Sequence, residues 1–159
     1  MVVFSGFVSV ELLIESYFGG IMKGVRKPVM QLERAHNPDY VDFNAVESLR
    51  KSGAKALLIY SDNDTLCKKT PHYDALAAGL ADCENVEIML VQGKGHNPNY
   101  TADAVRYKDA FFAELQKKRK KGQLVTVEQK DAFVASCDWH RMTAQDTEVW
   151  AKVFDALDK

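Results

Sequence analysis

The sequence predicts an α/β fold in which a three-stranded parallel sheet is flanked by helices. Three observations carry this. The segment Lys55 to Tyr60 (KALLIY) is, after its first residue, an unbroken apolar run, as expected of a strand covered on both faces. Val86 to Val91 is a second strand candidate, and Val2 to Phe4 is a shorter β-branched and aromatic run closed by Ser5-Gly6. Segments with helical periodicity lie between them, and alternation of strand and helix implies parallel pairing through right-handed crossovers.

Taken in order, the first strand is followed by Val8 to Met22, where Val8, Leu12, Leu13, Tyr17 and Ile21 recur at helical spacing before Gly19-Gly20 weakens the end. Gly24 to Tyr40 carries mixed signals, among them Pro28 and Asn37-Pro38, and reads as helical fragments and loop. Asn44 with Glu47 is a capping-box pattern that predicts a helix to Ser52, stopped by Gly53. After the central strand, Ser61-Asp62-Asn63-Asp64 forms a polar turn. Thr70 then offers an N-cap with Pro71 at the first helical position, and Leu76, Ala77 and Leu80 mark the buried stripe.

The third strand ends at Gly93-Lys94-Gly95-His96. Thr101 opens a long helix with Val105, Phe111, Phe112 and Leu115 inward, and its last turn is Lys117 to Lys121. That basic run reads as a solvated end whose cations complement the helix dipole; no second basic cluster points to nucleic acid. Two more helices follow, about Val127 to Ser136 and Thr143 to Leu157, the latter with Thr143 and Asp146 spaced as a capping box. With no repeat and no linker, residues 1–159 read as one domain.

Composition narrows the function. A chain of 159 residues that is 47% hydrophobic and 27% charged can bury a real core. A formal net charge of -1 provides no field to gather nucleic acid or an anionic membrane. The apolar start is too short and interrupted to span a bilayer and lacks a signal-peptide layout. Three cysteines, Cys67, Cys83 and Cys137, have no metal spacing and read as free thiols in a reducing, cytoplasmic compartment. No cofactor or metal is implied.

The chemistry-bearing residues sit where a parallel sheet gathers them, in the loops at the carboxyl ends of its strands. A hydrolytic triad needs a base for the nucleophile's proton and a carboxylate that fixes the base's tautomer. Asp64 follows the central strand and His96 the next, with room between them for one crossover helix. His36, His72 and His140 have no comparable setting and read as surface or packing residues.

AKALLIYSDNDTL resembles the late α/β-hydrolase strand whose loop supplies the acid, and EIMLVQGKGHNPNY the last strand and the glycine-histidine loop that supplies the base. The order Asp then His is also that family's. The resemblance implies a partial α/β-hydrolase fold over residues 1–121, with lid-like helices at 8–40 and a helical tail at 122–159. It implies Asp64 as catalytic acid and His96 as general base, Asp62 being the weaker alternative. The implied activity is that of an esterase or acyl-hydrolase acting on a small-molecule ester or acyl substrate.

The family's nucleophile elbow, Gly-x-Ser-x-Gly, is missing. Ser5-Gly6 lacks the preceding glycine, and Ser9, Ser16, Ser48, Ser52 and Ser136 fall in helices or at their ends. Cys67 has no evident activation. The chain therefore reads as a C-terminal portion, inactive by itself, whose Val2 to Phe4 strand becomes an open edge that pairs with a second copy. Phe7, Leu13, Tyr17, Phe18, Ile21 and Met22 either line an acyl pocket or simply pack as amphipathic helix. The competing reading is a non-catalytic module that binds a partner or itself. A flavodoxin-like module, a third, lacks a glycine-rich phosphate loop.

Overall fold

The structure, a computed structural model, describes residues 1–158. Strands β1 (Val2–Phe4), β2 (Ala56–Ser61) and β3 (Val86–Val91) form one parallel sheet in that order. Phe4 lies opposite Ile59 and Ser61 opposite Val91, so the strands finish at one common edge. Every residue of β2 is buried, because it has a strand on each side and helices over both faces.

Alternation along β2 divides the core. Ala56, Leu58 and Tyr60 point to one face, packing with Val8, Leu49, Leu76 and Leu80. This face is covered by α3 (Ala45–Ser52) and α4 (Ala75–Gly79), which carry Leu49 and Leu76. Leu57 and Ile59 point to the other, against Val149 and Val153 of α8 (Thr147–Leu157). The C-terminal segment thus supplies one wall of the core. Burial of Val149 and Val153 contributes about 1.5–3 kcal/mol each.

The segment between β1 and β2 holds α1 (Val10–Tyr17), a 3-10 turn (Gly20–Val25) and α2 (Arg26–His36), with a small core of Ile14, Met30 and Val41. The helix predicted to run to Met22 ends at Tyr17, and Tyr17 and Ile21 are exposed rather than inward. Gly20, at φ +54°, turns the chain there, so the apolar spacing beyond Tyr17 no longer belongs to one helix. Pro28 does not interrupt α2. It occupies the first turn, where an amide N–H has no intrahelical partner to lose.

Three further expectations need correcting. Thr70 caps no helix, since the chain already coils from Lys69 as a wide π-helical turn to Asp74 and then enters α4. The last helix starts at Thr147, not Thr143. Its cap is Asp146, whose carboxylate takes both the Glu148 and Val149 amides, while the Thr143 hydroxyl donates back to Trp139 O at 2.7 Å. In α5 (Ala102–Lys120), Ala104 and Val105 are buried but Phe112 is exposed. The far half of α5 meets α6 (Val127–Ala135) instead of the sheet, and Phe111 stacks on Phe133 at 4.6 Å.

Asn44 and Thr101 cap their helices, Val46 N donating to Asn44 Oδ1 and Ala104 N to Thr101 Oγ1, but the box expected at Asn44 does not close, because the Glu47 carboxylate pairs with Lys51 instead. Lys117 and Lys118 in the last turn of α5 pair with Glu114. A short helix α7 (Trp139–Met142) precedes α8, and Arg141 on it makes a two-toothed ion pair with Asp103 at 2.7 and 3.0 Å. No helix among the described residues is long and apolar enough to cross a membrane.

Candidate active site

The loops after β2 and β3 meet side by side at the carboxyl edge of the sheet, and side chains of the first bind the backbone of the second. Asp62 Oδ1 accepts the Gly93 amide at 2.7 Å, Ser61 Oγ the Lys94 amide at 3.0 Å, and Asn63 Oδ1 the Gly95 amide at 2.8 Å. Three consecutive amides are thus held by three consecutive polar residues. Gly93 and Gly95 both have positive φ, +70° and +54°, a conformation that side chains with a Cβ resist. The polar turn and the glycine loop therefore fit each other as one unit.

This frame delivers His96 to Asp64. His96 Nδ1 lies 2.9 Å from Asp64 Oδ2, and the other carboxylate oxygen accepts the amides of Leu66 at 2.8 Å and Cys67 at 3.0 Å. The Asp64 side chain is 0% exposed, whereas that of His96 is 40% exposed. A neutral imidazole facing a carboxylate through Nδ1 carries its proton there, leaving the Nε2 lone pair to accept one. Nε2 makes no hydrogen bond among the described residues. Asp62 is committed to the loop amide, so the geometry pairs His96 with Asp64.

Beside the pair lies Lys94, almost buried, whose ammonium donates to Asp146. Burial works against the Asp146 carboxylate, but the Lys94 hydrogen bond and the Val149 and Glu148 amides more than offset it and hold its carboxyl below the usual range. The loop bearing His96 is thereby tied to the start of α8. In the sequence Asp146 stands out only as half of a capping-box spacing, and nothing local marks Lys94 as its partner, because the two meet through the fold.

Ser5, Cys67 and the apolar residues that follow β1 are the other groups the sequence singles out. Among the described residues, Ser5, which follows β1 at φ +47°, is the one non-glycine residue in the left-handed region, and its buried Oγ has no hydrogen-bond partner. Such strain costs on the order of 1–3 kcal/mol. Cys67 is buried beneath Asp64, and burial, reinforced by the Asp64 charge, pushes its thiol up to about 11, so it is no ready nucleophile. Of the candidate acyl-pocket residues, Phe7 lines two apolar grooves along the β1 side, whereas Tyr17, Ile21 and Met22 project into solvent.

His72 is fully buried and is structural. The Val8 amide donates to its Nδ1 at 3.3 Å, so the neutral ring's proton lies on Nε2, 3.3 Å from Ser16 Oγ. Ser16 in turn donates to Leu12 O at 2.8 Å. His72 is therefore a donor to this serine, not its base. His36 and His140 are exposed. No protein-family model, curated protein or solved structure matches the chain.

Proposed function

We propose that the chain supplies the acid and base of a serine-hydrolase-type site of the α/β-hydrolase kind, acting on a small ester or acyl compound. The observation that carries this reading is the 2.9 Å contact between buried Asp64 and part-exposed His96 at the ends of adjacent parallel strands. In this role His96 Nε2 takes the proton of an attacking hydroxyl, and Asp64 stabilises the imidazolium that results. The same proton then passes to the leaving group. No hydroxyl is bonded to Nε2 among the described residues, so the nucleophile has to be brought to His96. Three unpaired thiols fit a reducing, cytoplasmic setting.

The test is hydrolysis of p-nitrophenyl acetate by the chain, His96→Ala and Asp64→Asn. The expected outcome is a slow rate that falls in both variants to the background of the two exposed histidines. An unchanged rate in His96→Ala overturns the reading. Ser5→Ala belongs in the same series, because loss equal to that of His96→Ala would place the nucleophile within these residues.

A second reading, self-association, is favoured by the edge of β1. Met1 O and the Ser5 amide bond to β2, and peptide groups alternate along a strand, so those of Val2 and Phe4 face outward. Two copies paired along this edge form a continuous six-stranded sheet. Light scattering at micromolar concentration tests it: the pairing predicts a dimer that Val2→Pro, lacking the outward N–H, returns to monomer.

A further inference from the structure

We propose that Asp64, Cys67 and His96 together bind a thiophilic divalent cation of the zinc class. One donor atom of each (a carboxylate oxygen, the thiol sulfur and a ring nitrogen) lies within 4.8 Å of the other two. The fold assembles this trio from two loops. Cys67 stands three residues beyond Asp64 and is locked to it by its own amide, and His96 arrives from the end of β3. No regular ligand spacing announces it in the sequence.

The donor set selects the ion. Sulfur, imidazole nitrogen and one carboxylate oxygen suit zinc or cobalt(II), whereas magnesium and calcium require oxygen. Bonds of about 2.0–2.3 Å at a tetrahedral centre put donor atoms on the order of 3.3–3.8 Å apart. The 2.9 Å pair of Asp64 and His96 must therefore open slightly, and the widest pair, within 4.8 Å, has at most about 1 Å to close. His96 has the freedom to do this, being the part-exposed member.

Support behind the ligands is already built. Asp64 Oδ1 is held by two amides, which orients Oδ2 as the free ligating oxygen. The Tyr60 hydroxyl is engaged in donating to Gly6 O at 2.6 Å and the Ser61 hydroxyl in bonds to Asn63 and the Lys94 amide, so water would complete the coordination from the exposed His96 side. On binding, the thiol loses its proton to solvent, and the imidazole proton moves from Nδ1 to Nε2 to free Nδ1 for the metal. The ion then takes the atoms through which Asp64 and His96 touch. Given the hydrolase reading, an occupied site is a switched-off one. Metal binding itself does not depend on that reading.

Cobalt(II) is the probe, titrated into the full chain under a non-thiol reductant. The expected result is one saturable site showing thiolate-to-cobalt charge transfer in the near ultraviolet and the strong visible bands of tetrahedral cobalt, both abolished by zinc. Cys67→Ser should lose the charge-transfer band, and Cys83→Ser should keep it. His96→Ala, with folding checked by circular dichroism, should weaken binding at least tenfold. Absence of the band in the native chain, or a band and affinity unchanged in both Cys67→Ser and His96→Ala, overturns the proposal. Ester hydrolysis measured without metal reports separately on the acid–base pair.

Discussion

The ammonium group of Lys94 is bonded to the carboxylate of Asp146, joining the loop that carries His96 to the helix that covers the far face of the sheet. The pair is largely withdrawn from water, with side chains 9% and 21% exposed. Removing one partner of such a pair leaves the other charge uncompensated, which costs about 3 kcal/mol or more. Lys94→Met should therefore lower stability in urea by about that amount. Asp146→Asn keeps a capping oxygen for the Glu148 and Val149 amides and should cost about 1 kcal/mol less than Asp146→Ala. Equal losses in the two Asp146 variants would mean the cap contributes nothing.

His72 predicts the acid limb of stability. Burial lowers its pKa from the ordinary 6.5, the Asp64 charge opposing this only partly. The unfolded chain then binds the proton more readily than the folded one. This contribution to stability is complete above pH 6.5 and declines as pH falls below that value toward the depressed folded value. A second ring proton would also displace the Val8 amide from Nδ1. Between pH 7.5 and 5 the urea midpoint should fall, and the fall should be smaller in His72→Gln, whose amide can accept from Val8 and donate to Ser16. The same decline in both proteins would clear His72 of the effect.

The elements legible in the sequence were those whose cause is local. The apolar run of β2, the Gly53 stop at φ +59° and the caps at Asn44 and Thr101 are all written within a few residues. The errors fall where distant contacts decide. Thr143 and Asp146 were both competent caps by type. Lys94, across the loop, engages Asp146, and the Thr143 hydroxyl is used by α7. Phe112 matched the helical stripe, but α6 takes Phe111 and leaves Phe112 in solvent. At the candidate site, Asp64 and His96 were readable from strand order. The engagement of Ser61, Asp62 and Asn63 with the glycine loop was not, because it depends on the register of β2 against β3.

Thiol reactivity should separate the cysteines. Cys67 and Cys137 are buried and Cys83 is half-buried. With Ellman's reagent at pH 8, one thiol should react promptly in the native chain and all three in denaturant. Cys83→Ser should remove the fast phase. A fast phase surviving that substitution would show that the loop around Cys67 opens readily.

Asp62 and Asp64 provide the sharpest separation of structure from chemistry, since they are two residues apart and bond to the same loop. Asp62 holds only the Gly93 amide, at the surface, so Asp62→Ala should cost about 1 kcal/mol of stability and leave His96 in place. Asp64 accepts from Leu66, Cys67 and His96 with its side chain wholly buried. Asp64→Asn keeps an acceptor for the two amides yet turns an NH2 group or a neutral oxygen toward Nδ1. An NH2 there would make Nδ1 the acceptor and send the ring proton to Nε2, the wrong tautomer for a base. Nitrogen NMR of the His96 ring should show protonated Nδ1 in the parent and in Asp62→Ala, and a shift toward protonated Nε2 in Asp64→Asn. If Asp62→Ala shifts the tautomer and Asp64→Asn does not, the acid has been assigned to the wrong aspartate.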